Sequence, residues 1–248
     1  MKRQMIALGM LLLLICGGHR VMAQADYGYF NSLGLGLSVS TVGVGLEVST
    51  PIGNYLALRG GVSFMPKFTV TDEVNADLKG VPQGYPQSAE VELEGSTKRT
   101  TGELLLNLYP FRSNGFFVAA GASFGGDKFV QITGHSDELQ QLIAAGGSAG
   151  LQIGDVSIPV DQNGNVSGGL KVSAVRPYVG LGYGRAVPSK RINFMLDAGV
   201  QLHGTPEVYS DFGQVDQLMA EVDNDFTDII NKLKVYPVIR FRICGKLF

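Results

Sequence analysis

From residue 33 onward the chain keeps returning to one pattern: an aliphatic residue, then a glycine, serine or charged residue, then an aliphatic again. Successive side chains on an extended strand point to opposite faces, so this period of two means strands with unlike faces rather than helical stripes. Leu33, Leu35, Leu37 and Val39 alternate with Gly34, Gly36, Ser38 and Ser40; Val42, Val44, Leu46 and Val48 then alternate with Gly43, Gly45, Glu47 and Ser49. Between these two runs the phase flips at Ser40-Thr41, which requires a turn or a bulge. Further runs follow at Leu56–Phe64, Leu104–Leu108, Phe116–Phe124, Val179–Tyr183, Ile192–His203 and Ile239–Cys244.

The connections have their own alternation. Short ones fall at Ile52-Gly53-Asn54, Arg112-Ser113-Asn114-Gly115 and Pro188-Ser189-Lys190, and long ones at 73–90, 134–172 and 208–234. Membrane barrels join their strands by short turns on the periplasmic side and long loops outside. With the phase flip read as a tight outer turn, the strands number eight and both ends lie on the short-turn side. Read as a bulge, it leaves seven, with an eighth strand inside a loop. A soluble β-sandwich also alternates, but here the less apolar face carries glycine, serine and charge in strand after strand, and segments such as 54–73 and 191–207 exceed ordinary strand length. The expected fold is therefore all-β: an antiparallel up-and-down transmembrane β-barrel of eight strands, with one amphipathic helix before the last.

The N-terminus fits export. Lys2 and Arg3 precede an apolar run from Met5 to Cys16, Gly17 and Gly18 break it, and Val21, Ala23 and Ala25 follow. This is the layout of a signal peptide over 1–25, cleaved after Ala23 or Ala25, and the run is shorter than the roughly 20 residues of a spanning helix. The barrel domain is then 26–248. Without Lys2, Arg3 and Arg20, the 20 basic residues fall to 17 against 22 acidic ones, a net charge of −5. That balance speaks against a nucleic-acid partner. Cys16 leaves as well, and Cys244 alone cannot form an internal disulfide.

On the inner face the alternation collects Glu47, Arg59, Glu103, Asn107, Asp197, Gln201, His203, Arg240 and Arg242. Unpaired charges in a low-dielectric interior are costly, so acids and bases should pair across the lumen. Glycines at 34, 36, 43, 45, 180, 182 and 184 leave room for those side chains, and an eight-stranded barrel is just wide enough to be filled by them. The expected interior is plugged. Aromatics near strand ends (Tyr55, Tyr109, Phe111, Phe116, Phe117 and Tyr236) are expected on the outer face as a girdle beside the short turns.

Residues 214–233 depart from the strand pattern. Val215, Leu218, Met219, Val222, Phe226, Ile229, Ile230 and Leu233 follow helical spacing, with acidic residues on the other faces, so an amphipathic helix is expected there. Within 134–172 the sequence suggests a short helix at Ser136–Ile143 and a hairpin around Asn163-Gly164. Asp161, Asn163 and Asn165 echo a calcium loop, but Leu170-Lys171-Val172 stands where the closing glutamate belongs, and no metal is assigned. For catalysis, only His203, with Glu207 and Ser210 beyond it, offers a rim constellation. There is no phosphate loop, HExxH or Cys/His cluster, and no cofactor is implied.

The stretches Arg176-Pro177-Tyr178-Val179-Gly180-Leu181-Gly182-Tyr183-Gly184, Phe194-Met195-Leu196-Asp197-Ala198-Gly199-Val200, Gly204-Thr205-Pro206-Glu207-Val208 and Tyr236-Pro237-Val238 carry a resemblance. In them the chain resembles a broad family of uncharacterised outer-membrane β-barrel proteins of Gram-negative bacteria, akin in architecture to OmpA-like and OmpW-like small barrels. The resemblance implies insertion into the cell outer membrane by the barrel assembly machinery, which reads the last strand and a terminal aromatic, here Phe248. The sequence departs from that signal at Lys246, where an aromatic is commoner. The expected function is a non-enzymatic, monomeric barrel in contact with outer-membrane lipids, with a structural role or an extracellular ligand bound by its loops. The alternatives are a lipid- or peptide-modifying enzyme using His203 and a narrow pore.

Overall fold

The computed structural model describes residues 27–77, 88–144, 150–153, 156–212, 216–217 and 234–247. In chain order its strands are β1 (Gly34–Ser40), β2 (Gly43–Ile52), β3 (Leu56–Met65), β4 (Thr69–Asp77), β5 (Ser88–Ser96), β6 (Arg99–Leu108), β7 (Phe116–Phe124) and β8 (Lys128–His135). A helix, α1 (Asp137–Ala144), precedes β9 (Gly150–Ile153), β10 (Val156–Pro159), β11 (Asn165–Lys171) and β12 (Val175–Tyr183). The chain continues through β13 (Ile192–Leu202), β14 (Glu207–Ser210), β15 (Asp216–Gln217) and β16 (Val235–Lys246).

Eight of these strands close into an antiparallel barrel in the order β1-β16-β13-β12-β7-β6-β3-β2. The phase flip is a turn, not a bulge: Ser40 pairs with Gly43, leaving Thr41 and Val42 as a two-residue link. Gly43 has a φ of 122° and no room for a Cβ against the Phe64 carbonyl, which accounts for glycine there. Closure joins the chain's two ends, with β1 pairing β16 from Gly34–Lys246 to Ser40–Arg240. The links β2–β3, β6–β7 and β12–β13 lie at the same end as the start of β1 and the end of β16; we call this the short-turn end.

At the opposite, loop end the long connections hold more regular structure than the sequence suggests. β4 and β5 form a hairpin that takes up 73–77 and 88–90 of the expected 73–90 loop, while 78–87 lies outside the described residues. A five-stranded sheet, β14-β11-β8-β5-β4, and a three-stranded one, β15-β10-β9, stand there. The period-two signal is brief in such strands: in β5 Val91 and Leu93 are buried between the less buried Glu92 and Glu94, while β4 sets Thr69 and Thr71 about Val70 and then runs Asp72-Glu73. The turn at Asp161–Asn165 forms, but its arms part after the single Val160–Val166 bridge. β10 joins β9 and β15, whereas β11 joins β8 and β14. The helix expected at 214–233 lies outside the described residues except for Asp216 and Gln217. Those two pair with Ser157 and Val156 as a strand.

The barrel wears its apolar residues outside. Leu37, Leu46, Val62, Leu106, Val179, Leu181, Phe194 and Ile239 are among a band of exposed aliphatic and aromatic side chains, and that band runs round all the barrel strands. Three expected girdle residues are corrected. Tyr109 and Phe117 are buried, because both share the inward phase of their runs, and they pack together with centroids 5.6 Å apart. Tyr236 also leaves the girdle: it is at the loop end, where its hydroxyl donates to Thr41 O at 2.8 Å. Tyr55 and Phe111 are exposed at the short-turn end.

Candidate functional site

The lumen is the candidate site, and strand alternation builds it one residue in two. β2 supplies Glu47, β3 Arg59, β6 Glu103 and Asn107, β13 Asp197 and Gln201, and β16 Arg240 and Arg242, while His203 follows β13. All nine are at most 8% exposed. Arg59 Nη2 donates to Asp197 Oδ2 at 2.7 Å, and its Nη1 lies 3.7 Å from Glu47 Oε2. Arg240 donates to Glu103 and stands 3.9 Å from both Glu47 Oε1 and Asp197 Oδ2. Arg242 Nε lies 3.3 Å from Glu47 Oε2, its Nη2 donates to Ser49 Oγ at 3.1 Å, and its Nη1 donates to Ala186 O at 3.2 Å.

Three carboxylates thus meet three guanidinium groups, and Glu47 touches all three arginines. Desolvating these groups singly would cost several kcal/mol each, and only mutual pairing offsets it. Pairing across the barrel also ties β2, β3, β6, β13 and β16 to one another, so the charges fix register as well as fill space. Glycine makes the room. A Cβ at Gly36 would run into the Arg242 guanidinium, one at Gly61 would come 2.7 Å from Glu47 Cγ, and one at Gly182 would meet Phe117 and Asp197.

Neutral groups extend the network toward both ends. Asn107 Nδ2 donates to Tyr109 Oη at 3.3 Å, and Tyr109 Oη accepts from Ala186 N at 2.8 Å. Gln201 Nε2 donates to Ser123 Oγ at 2.7 Å. At the short-turn end Arg185 closes the barrel. It donates to the carbonyls of Asn54 and Arg112 at 3.1 and 2.9 Å, and its guanidinium lies 4.3 Å from the Tyr109 ring and 5.6 Å from that of Tyr27.

The loop end is closed by rings. His203 stacks on Tyr236 at 5.0 Å, Phe129 meets both edge-on, and Arg99 sits 4.4 Å over Phe129. Arg176 spans β12 to the β7 end, donating to Gly125 O at 2.5 Å and to Ser173 O at 2.9 Å. Burial, with Arg176 and Arg99 adding repulsion, pulls the imidazole of His203, one residue beyond β13, down to about 4. It is therefore neutral near pH 7.

The structure does not join His203 to the other rim candidates. His203 faces Gln201 Oε1 at 3.4 Å, Glu207 pairs with Lys171 at 3.2 Å, and the Ser210 hydroxyl donates to Ser167 O at 3.2 Å. Asp161 spends its carboxylate on the turn itself, accepting from Asn163 N, Asn165 N and Asn165 Nδ2 at 2.7–2.9 Å. Among the described residues no group of three or more His, Cys, Asp or Glu is placed to hold a metal. Phe248 lies outside the described residues.

Several lumen residues were missed by sequence reasoning. Arg176 and Tyr178 share the inward phase of Gly180 and Gly182 and could have been found by extending that run. Arg185 and Arg99 sit at strand edges, where alternation gives no facing.

Among solved structures the chain is similar to the crystal structures of Acinetobacter baumannii CarO2 and CarO. The first gives a TM-score of 0.48 at 19% identity, over 87% of this chain and 98% of that one. The second gives 0.47 at 17%, over 88% and 99%. No protein-family model and no curated protein matches the chain.

Proposed function

We propose that the protein is an integral outer-membrane β-barrel, closed to ions by a charged side-chain plug, with a structural or loop-mediated binding role and no catalysis. One observation carries this reading: the barrel is inverted relative to a soluble domain. Its aliphatic side chains face outward on strand after strand while its arginines and carboxylates are buried within. Such an exterior is costly in water and suits hydrocarbon, where a closed barrel leaves no backbone group unpaired. The asymmetry of the connections supports an orientation with the short-turn end in the periplasm and the strand-rich loops outside. Those loops are where a ligand or partner would be met.

The test is gel migration of the protein from outer-membrane fractions, unboiled and boiled. A folded barrel migrates differently in the two states; identical migration, together with recovery in the soluble periplasm, would defeat the reading. In planar bilayers the plugged lumen predicts electrical silence, and steady conductance would favour the pore instead. Replacing His203 with Ala should leave membrane lipid profiles unchanged, because the imidazole is buried under Tyr236 and shares no hydrogen bond with Glu207 or Ser210. An altered profile would revive the enzyme.

A further inference from the structure

Ahead of β1, residues 27–33 run back along the end of β2 as a strap. Tyr29 bridges Ile52, Phe30 N–H donates to Pro51 O at 2.9 Å, Gly53 N–H donates to Gly28 O at 3.0 Å, and the Thr50 hydroxyl donates to Ser32 O at 3.1 Å. Tyr27 turns to the mouth, where its hydroxyl donates to Val187 O at 3.0 Å. Held between these ties, Phe30 has a φ of 54°, the one positive value for a non-glycine among the described residues. A residue with a Cβ adopts that conformation only when its surroundings impose it. Yet the side chain so placed is 60% exposed, and that of Tyr29 is 76% exposed. Among the described residues the two adjacent rings are left largely uncovered, Tyr29 lying against Gly53.

Their place in the barrel suggests what does. Exposed aromatics stand at the short-turn end on most of the circumference: Tyr55 after β2, Phe111 after β6, Tyr183 ending β12 and Phe194 near the start of β13. Among the described residues the sector formed by β16 and β1 presents Leu35, Ile243 and Leu247 there; Phe241 lies deeper, paired with Val39 and Leu196. Tyr29 and Phe30 stand on the strap beside this sector.

We infer that Tyr29 and Phe30 are a lipid-interface anchor, seated in the glycerol and headgroup region of the phospholipid leaflet at the short-turn end. The strap's hydrogen bonds hold Phe30 in its left-handed conformation to place it there. Rings of this kind favour the boundary where one side is apolar and the other wet. Continuity with the aliphatic belt points to lipid rather than protein as the partner, so the inference rests on the membrane reading above.

Because the chain contains no tryptophan, Phe30→Trp, Tyr29→Trp and the belt control Leu37→Trp each report one position. The full chain carrying one of these changes would be folded into phosphatidylcholine vesicles whose lipids are brominated at either a shallow or a deep acyl position. Only variants that keep heat-modifiable migration are read, and Tyr29→Trp stands in if Phe30→Trp does not fold. The anchor predicts blue-shifted emission at residues 29 and 30 and loss of most of it to shallow bromines, with Leu37→Trp quenched most by deep ones. If Leu37→Trp is quenched while residues 29 and 30 emit as in water, unquenched by either lipid, the anchor is overturned and the barrel reading stands. If none is quenched, both fall.

Discussion

At the scale of single residues, Arg59 is the sharpest test of the lumen. It lies 2.7 Å from Asp197 and 3.7 Å from Glu47, all three shut from solvent. Arg59→Met should destabilise the barrel by about 3–5 kcal/mol, because two buried carboxylates lose a partner. Adding Asp197→Asn removes one orphaned charge and restores a neutral cluster, so the double variant should lie closer to wild type than the single one. Urea unfolding midpoints in vesicles would show this; a double variant no better than the single would mean that shape, not charge balance, dominates. His203 gives a second test, with a sign. Its pKa is pulled from 6.5 to about 4 in the folded state, so the unfolded chain takes up the proton first as pH falls. Stability from this residue is full above 6.5 and is lost as pH drops toward 4. His203→Phe keeps a ring against Tyr236 and cannot titrate, so its unfolding midpoint should fall less between pH 7 and 4 than that of wild type.

At the scale of elements, the glycines divide by what faces them. Gly121 has no room for a Cβ against the Leu104 carbonyl, a backbone atom that cannot swing aside, whereas a Cβ at Gly60 would make ordinary contacts with Leu104 Cδ1 at 3.7 Å and Glu103 O at 3.8 Å. Gly121→Ala should therefore disturb the β6–β7 pairing and cost about 1–3 kcal/mol or more, while Gly60→Ala should be near neutral. The comparison is read as unfolding midpoints in the same vesicles. The barrel strands were legible in the sequence because each has a buried polar face and an exposed apolar one, and Glu47 and Arg59 stand out among glycines while Arg240 stands out among apolar residues. Tyr109 and Phe117 show the limit of that logic: position near a turn suggested a girdle, but phase decides facing, and both have the inward phase. In the loop-end strands the alternation is shorter, as at Val91 and Leu93 of β5. There the sequence suggested the turn at Asp161–Asn165 but not that β10 and β11 would leave it for different sheets.

At the scale of the whole molecule, the barrel and its loop-end sheets are separable in their pairing. Phe124 of β7 pairs with Val175 of β12 directly, so the fifty residues between them are not needed to close the wall. Replacing 125–174 with a short glycine-containing turn should leave heat-modifiable migration intact while removing Phe129 from the loop-end mouth. Loss of the folded band would mean that the outer sheet is part of the folding unit. The strand order has a further consequence, one of sequence in time. β16 carries Arg240 and Arg242 and is the last strand to be made, yet it must sit between β13 and β1. Before it docks, the acidic cluster of Glu47, Glu103 and Asp197 has only Arg59 of its three arginines. The open precursor thus bears an excess of negative charge in that cluster, facing the place of its final, doubly basic strand, and the attraction that later locks the plug also favours the strand that completes it.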